Sequence, residues 1–398
     1  MNKPVGTPAQ AKSSTGVVDY LWFGLPLAAL LIATIWLINS DWLRSFDAGA
    51  PPVERLTFER TVLDADGIHL YVRAGGSEPV TIAQVTVDDA FWAFSQDPIG
   101  PLDRLSAAWL HIPYPWVLGE THEIKLRTNT GLAFTKTIEV AVPTPAAEIG
   151  LLRPQALLGA FVGIVPVAIG MLFFPALQRF GTRGLNFVLA LTIGLLGFLL
   201  IDTLQEALDL GSEAAEAFQG QAMVLLAAAT AFLVLIVVGR RGGTPTGLAL
   251  ATYIALGIGL HNFGEGLAIG AAFAAGIAGL GTFLVLGFTL HNVTEGIGIV
   301  APLIDKRPPL WMFAALAMLA GGPAVPGIWL GSLSFSPQWA ALALAIGAGA
   351  ILQVIVEVAA YLARHAERRG ANWLSTSTIA GFIVGLGVMY LTAVLVKA

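Results

Sequence analysis

Hydrophobic and polar positions follow three different rhythms along this chain. Residues 1–17 are polar, and an unbroken apolar run from Leu21 to Ile38 follows, ending at Asn39-Ser40-Asp41. Over residues 47–147 the apolar period drops to two, as in Ile68-His69-Leu70-Tyr71-Val72, Val80-Thr81-Ile82-Ala83-Gln84-Val85-Thr86-Val87, Ile124-Lys125-Leu126 and Ile138-Glu139-Val140. From Leu151 onward the chain breaks into eight apolar segments, at about 155–177, 185–207, 220–239, 247–274, 279–303, 309–331, 338–362 and 375–396. Each is long enough to cross a bilayer as a helix.

A period of two is that of half-buried strands. Asp64-Ala65-Asp66-Gly67 and Thr128-Asn129-Thr130-Gly131 carry the residues of hairpin turns. Residues 47–147 therefore read as a small all-β, immunoglobulin-like sandwich, ended by Pro143 and Pro145. The first apolar run, flanked by Trp22, Trp36 and Trp42, is long for a signal-peptide core and lacks a small-residue cleavage site. We expect an uncleaved anchor helix at 18–40, with a removed signal as the alternative. The expected order is a cytoplasmic tail (1–17), the anchor, the β domain, and a membrane α-helical bundle of eight helices (151–398).

Composition agrees. The chain is 56% hydrophobic and 12% charged, whereas soluble domains are about a quarter charged. A net charge of −5 is no footprint for nucleic acid. The absence of Cys rules out disulfides, thiolate metal sites and cysteine catalysis. The 45 glycines suit helices that pack closely in lipid, and such small residues also fit a homodimer.

Loop charge sets an expected orientation. Arg179 and Arg183, Arg240 and Arg241, Lys306 and Arg307, and Arg364, Arg368 and Arg369 occupy alternate loops. The opposite loops, about 208–219, 275–278 and 332–337, hold no Lys or Arg. Basic loops stay in the cytoplasm. The bundle then starts and ends outside the cell (inner or plasma) membrane. Lys3 and Lys12 place the N-terminus inside, so the anchor delivers the β domain to that same outer side.

Four segments carry polar residues one helical turn apart, deep in apolar sequence: Asp202 with Glu206, His261 with Glu265, His291 with Glu295, and Gln353 with Glu357. Asn262 and Asn292 sit beside the histidines. Ionisable residues at membrane depth usually face a bundle interior and mark an ion path. Two imidazoles with carboxylates and amide oxygens suit a divalent first-row cation. Interhelical hydrogen bonding is the plainer account of Asp202 and Gln353, and simple solvation that of Glu206. It explains the doubled strings HNFGEG (261–266) and HNVTEG (291–296) poorly. Gly264 and Gly266 are expected to loosen their helix and turn a carbonyl toward the path; the Thr294 hydroxyl is expected to do something similar.

These strings resemble those of the ZIP (Zrt-, Irt-like) divalent metal transporters over about residues 151–398. The family's HNxPEG-type string is matched by His261, Asn262, Glu265 and Gly266, its H-x-x-P-E string by His291 and Glu295, and its Gly-Ala…Glu pattern by GAILQVIVE (349–357), which places Glu357. The family's proline is here Gly264 or Thr294, and Val325 fills the Glu slot of its Ala-Glu-Pro string. The resemblance therefore implies one principal metal site rather than two.

The expected protein is not an enzyme and has no resident cofactor. Its substrate is a divalent metal, Zn²⁺ or Fe²⁺ and also Mn²⁺ or Cd²⁺, held by His261, Asn262, Glu265, His291, Asn292 and Glu295. Asp202 and Glu206 are expected on or beside the way in, and Gln353 and Glu357 to shape the site or its inner exit. An intramembrane zinc-dependent hydrolase is the rival reading, although no HExxH string is present. A third reading is a metal sensor worked by the β domain, whose His69, His111 and His122 are expected on its surface.

Overall fold

The computed structural model describes residues 17–39, 53–144, 149–274, 278–333, 336–370 and 372–397. The chain divides into two units, Met1–Val53 and Glu54–Ala398. The first holds helix α1 (Val17–Asn39), with Leu25, Leu27, Leu30, Leu31 and Ile32 all exposed. Lys3, Lys12, Ser40, Asp41, Trp42, Pro145 and the link 275–277 lie outside the described residues.

The second unit opens with two four-stranded antiparallel sheets. One has the order β1 (Leu56–Asp64), β2 (Gly67–Ala74), β6 (Ala107–Ile112), β5 (Ser95–Asp97). The other runs β4 (Ala90–Trp92), β3 (Ile82–Val87), β7 (His122–Thr128), β8 (Ala133–Ile138). Alternate residues point to opposite faces. Ile68, Leu70, Val72, Leu110 and Ile112 thus share one core with Val85, Val87, Ile124 and Leu126. In the β1–β2 turn Asp64 pairs with Gly67, whose φ is +135°. A Cβ there would stand 2.2 Å from the Ile112 carbonyl oxygen, so only glycine fits.

The expected strand at 138–140 is shifted: β8 ends at Ile138, because Phe134 and Ile138 are its core-facing residues. Strands β1, β4, β5 and β6 add to those read from alternation. Two have three residues each, too few for a period to show.

All eight predicted apolar segments are helical. The first comprises α2 (Leu152–Gly159), a π turn (Ala160–Ile164), α3 (Val165–Met171) and α4 (Phe174–Leu177). Then come α5 (Thr182–Glu213), α6 (Gly220–Arg240), α7 (Gly247–Ala274) and α8 (Ala278–Val300). The sixth segment is α9 (Leu310–Gly321) with α10 (Ala324–Leu333), followed by α11 (Pro337–Arg368) and α12 (Thr376–Lys397). Among the described residues, seven helical spans are long and apolar enough to cross a membrane, and α8 adds a further apolar helix of 23 residues. The protein is a multi-pass membrane helix bundle carrying a small two-sheet β region.

Two segments are interrupted, the first at its π turn and again at Leu172-Phe173, the sixth at Gly322-Pro323; the π turn and the Gly322-Pro323 break bear on the site. Both interruptions adjoin a proline, Pro166 or Pro323, which lacks the N–H that would continue the ladder. Leu185, Leu189, Leu250, Ile254, Ile258, Ile351, Val354 and Val358 build the main bundle core. The β region meets the bundle through polar contacts. Glu59, gripped by Arg73 Nε at 2.5 Å, also accepts from Gln338 Nε2 at 3.1 Å. Arg60 Nη1 donates to the Leu333 carbonyl at 3.4 Å, and Arg55 pairs with Glu216. These contacts fall on or beside the loops after α5 and α10, two of the loops without Lys or Arg.

Candidate metal centre

Helical geometry places residues one turn apart on one face, so α7 presents His261 and Glu265 together. Their Nε2 and Oε1 atoms are 2.9 Å apart. From α8, His291 Nε2 approaches the same carboxylate oxygen at 2.7 Å. All three side chains are buried, and the two imidazole centroids lie 6.3 Å apart. One ligand atom of each falls within 4.8 Å of the others. Among the described residues this is the one group of three or more His, Asp or Glu side chains gathered so closely.

Glu295 is buried beside them. It interacts electrostatically with His291, His261 and Glu265, and the Asn262 side chain lies within its reach, though neither of its oxygens takes part in a well-formed hydrogen bond. Glu265 Oε2, Asn262 Oδ1 and Asn292 Oδ1 are also buried and unpartnered. Buried acceptors without donors are costly. A cation among them would satisfy several at once.

The asparagines have a second task. Asn262 Nδ2 donates to the Ala320 carbonyl at 3.0 Å, and Asn292 Nδ2 to the Val162 carbonyl at 3.1 Å. Both acceptors sit at the interruptions just described. Val162 would normally bond the N–H four residues on; that residue is Pro166, and Asn292 supplies the missing donor. Each asparagine is thus fixed by its amide nitrogen, with its oxygen left over.

The two strings are embedded in matching surroundings. A Cβ on Gly266 would stand 2.2 Å from Ala324 O; one on Gly296 would stand 2.1 Å from Val167 O. Gly327 abuts Phe263 O just as Gly170 abuts Val293 O. The pair formed by α7 and the sixth segment therefore repeats in α8 and the first segment. This corrects the expectation that Gly264 and Gly266 loosen α7, which runs unbroken from Gly247 to Ala274. Gly266 admits a neighbouring backbone, and the interruptions belong to the partner segments. Thr294 Oγ1 does donate to a carbonyl, that of His291, at 2.6 Å.

The remaining predicted residues lie outside the three-residue cluster. Asp202 on α5 is half-buried, and its charge reaches His291. Glu206, one turn further along, is exposed. Gln353 is buried on α11, its Oε1 against Gly257 of α7. Glu357 is drawn into a different interaction: its Oε1 accepts from Arg240 Nε at 3.0 Å. Sequence reading treated Arg240 only as a loop charge and missed this pairing. The one signal was a carboxylate in apolar sequence with a cation at a neighbouring helix end. Val325 packs against Gly159 of α2.

In the β region His122 is buried rather than on the surface, its Nδ1 2.8 Å from Asp88 Oδ2. His69 and His111 face each other, Nδ1 to Nδ1, at 2.8 Å, and His69 Nε2 meets Asp64 Oδ1 at 2.9 Å. Burial pushes the Asp64 carboxyl up, but hydrogen bonds from His69 and the Asp66 backbone outweigh it and hold it below its ordinary range. These pairings account for the three histidines structurally.

Compared with known proteins, the chain matches no family model, and no curated protein matches it.

Proposed function

We propose that this protein carries a divalent metal cation across the membrane, as a ZIP-like transporter with an added anchor helix and an immunoglobulin-like extracytoplasmic domain. One observation carries the reading: two imidazoles from adjacent helices converge on a single buried carboxylate oxygen, with the Glu295 carboxylate buried beside them. In this reading His261, Glu265 and His291 form the primary ligand set, and Glu295, Asn262 and Asn292 complete it. The metal is substrate, and the chemistry is ligand exchange. Protein ligands replace the hydration shell and must hold the ion weakly enough to release it. Imidazole and carboxylate bind metal when deprotonated, so acid is expected to lower uptake.

Asp202 and Glu206 attract the ion at the outer side, and Gln353 and Glu357 line its way toward the cytoplasm. The contacts of the β region with two Lys- and Arg-free loops support an extracytoplasmic side for both. A zinc hydrolase would need an open coordination position for water and a cleft for substrate; burial of the whole cluster favours a passing ion instead.

The test is flux into proteoliposomes with Zn²⁺, Fe²⁺, Mn²⁺ and Cd²⁺, comparing the native chain with Glu265→Ala. Metal-dependent uptake that Glu265→Ala abolishes supports the proposal. Hydrolysis of a lipid or peptide by the purified protein, with no metal flux, overturns it.

A further inference from the structure

Helices α5 and α11 are both 32 residues long and occupy equivalent settings. Gly194 of α5 faces the Phe382 carbonyl of α12; Gly349 of α11 faces the Ala228 carbonyl of α6. Advancing equally along α5 and α11 from these glycines leads to Asp202 and Glu357. Two carboxylates thus hold matching positions in the two halves of the bundle. Their partners differ. Advancing along α6 from Ala228 reaches Arg240; the same advance along α12 from Phe382 reaches Val394. Arg240 is bound to Glu357, whereas among the described residues no Lys or Arg is paired with Asp202.

We infer that Arg240 is a tethered cation that occupies the exit carboxylate, so that the inner end of the path is closed until a metal ion displaces it. This rests on the transport reading above. Three features suit a displaceable plug. The Arg240 side chain is 41% exposed while that of Glu357 is 2% exposed, so the guanidinium has room to swing away and the carboxylate has not. The contact runs from Nε to Oε1, without the two-pronged grip that makes Arg–carboxylate pairs strong. Glu357 Oε2 is buried without a donor, leaving a free lone pair for an arriving ion before the arginine lets go. The bond also ties α6 to α11, and Gln353 lies one turn from Glu357 on the face toward α7. Release of Arg240 would therefore open the space below the cluster from the α6 side.

The chain has no cysteine, so a single Gln353→Cys reporter in the full-length protein can be read cleanly in reconstituted vesicles. A membrane-impermeant maleimide is applied from each side, and Zn²⁺ flux is measured in parallel on the chain without the reporter. With Arg240→Gln, labelling from the side bearing Arg240 is expected to speed up about tenfold, as for ~1.4 kcal/mol of lost closure, and labelling from the other side to stay unchanged. Should Arg240→Gln fold poorly because it strands a buried carboxylate, Arg240→Gln with Glu357→Gln removes both charges and is expected to label as fast. Labelling within about twofold of the parent in both variants overturns the inference, since ~0.4 kcal/mol is no gate. If the native chain passes no Zn²⁺ while labelling still accelerates on one side, the transport reading fails and displacement by metal falls with it, while closure of this space by Arg240 stands. If flux is robust and labelling is indifferent to Arg240, the plug fails and transport stands.

Discussion

HNFGEG on α7 and HNVTEG on α8 are nearly the same six residues in nearly the same surroundings, yet their glutamates are in different states. Glu265 receives both imidazoles on one oxygen; Glu295 receives neither. The asparagines and closing glycines do not diverge. Asn262 and Asn292 each bond a carbonyl at a helix interruption, and Gly266 and Gly296 each admit a backbone oxygen. The scaffold of the two strings is repeated, while the ligand geometry built on it is not. Side chains converging on one atom break the equivalence, because a single carboxylate oxygen can face both histidines from only one of the helices.

The largest expected effect is on the shared scaffold. Gly266→Ala or Gly296→Ala puts a methyl into backbone, and each should cost about 3 kcal/mol or more, read as lost thermal stability of the purified protein in detergent. Similar losses at both sites would support an equivalent scaffold, and a harmless change at one would break it. Next come the ligands. Glu265→Ala should weaken Zn²⁺ binding about a hundredfold and Glu295→Ala about tenfold, the range seen when partners of a metal site are removed; titration calorimetry decides. Equal losses would show that the metal-bound state restores the equivalence.

A smaller effect belongs to the asparagines. Asn262→Ala and Asn292→Ala each strand a carbonyl, for about 1–3 kcal/mol. The Asn292 change should be the worse, since Pro166 removes the N–H four residues on from Val162. Thermal melts of the two variants rank them. Smallest is Asp202→Asn, expected to slow uptake a few-fold at low salt and less at high salt, as an outer charge acts mainly on arrival. Flux at two ionic strengths checks it.

Much of this was legible from residues alone. Eight apolar runs of spanning length become eight helical segments, because run length is a direct readout of how much backbone must be satisfied internally. The His-x-x-x-Glu spacing put each His–Glu pair on one helical face before any coordinates. Long-range partners were not legible. No local pattern announces that Asn292 will serve Val162, or Arg240 Glu357, since both pairings span more than a hundred residues. The glycines misled for a related reason. A glycine in a helix reads equally as a weak point or as a place of close approach, and only the neighbour decides. In the β region, alternation located β2, β3 and β7, whereas β1, the longest strand, carries a bulge that breaks its period, and β4 and β5 were too brief to display any.

The π turn at Ala160–Ile164 deserves one last consequence. Between Gly163 and Pro166 the first segment holds one residue more than the sixth holds between Gly321 and Pro323. A molecule assembled from two copies of one plan, with a single surplus unit in one copy, cannot map onto itself when turned over. Its two ends are therefore unequal from the backbone up, before any side chain is considered.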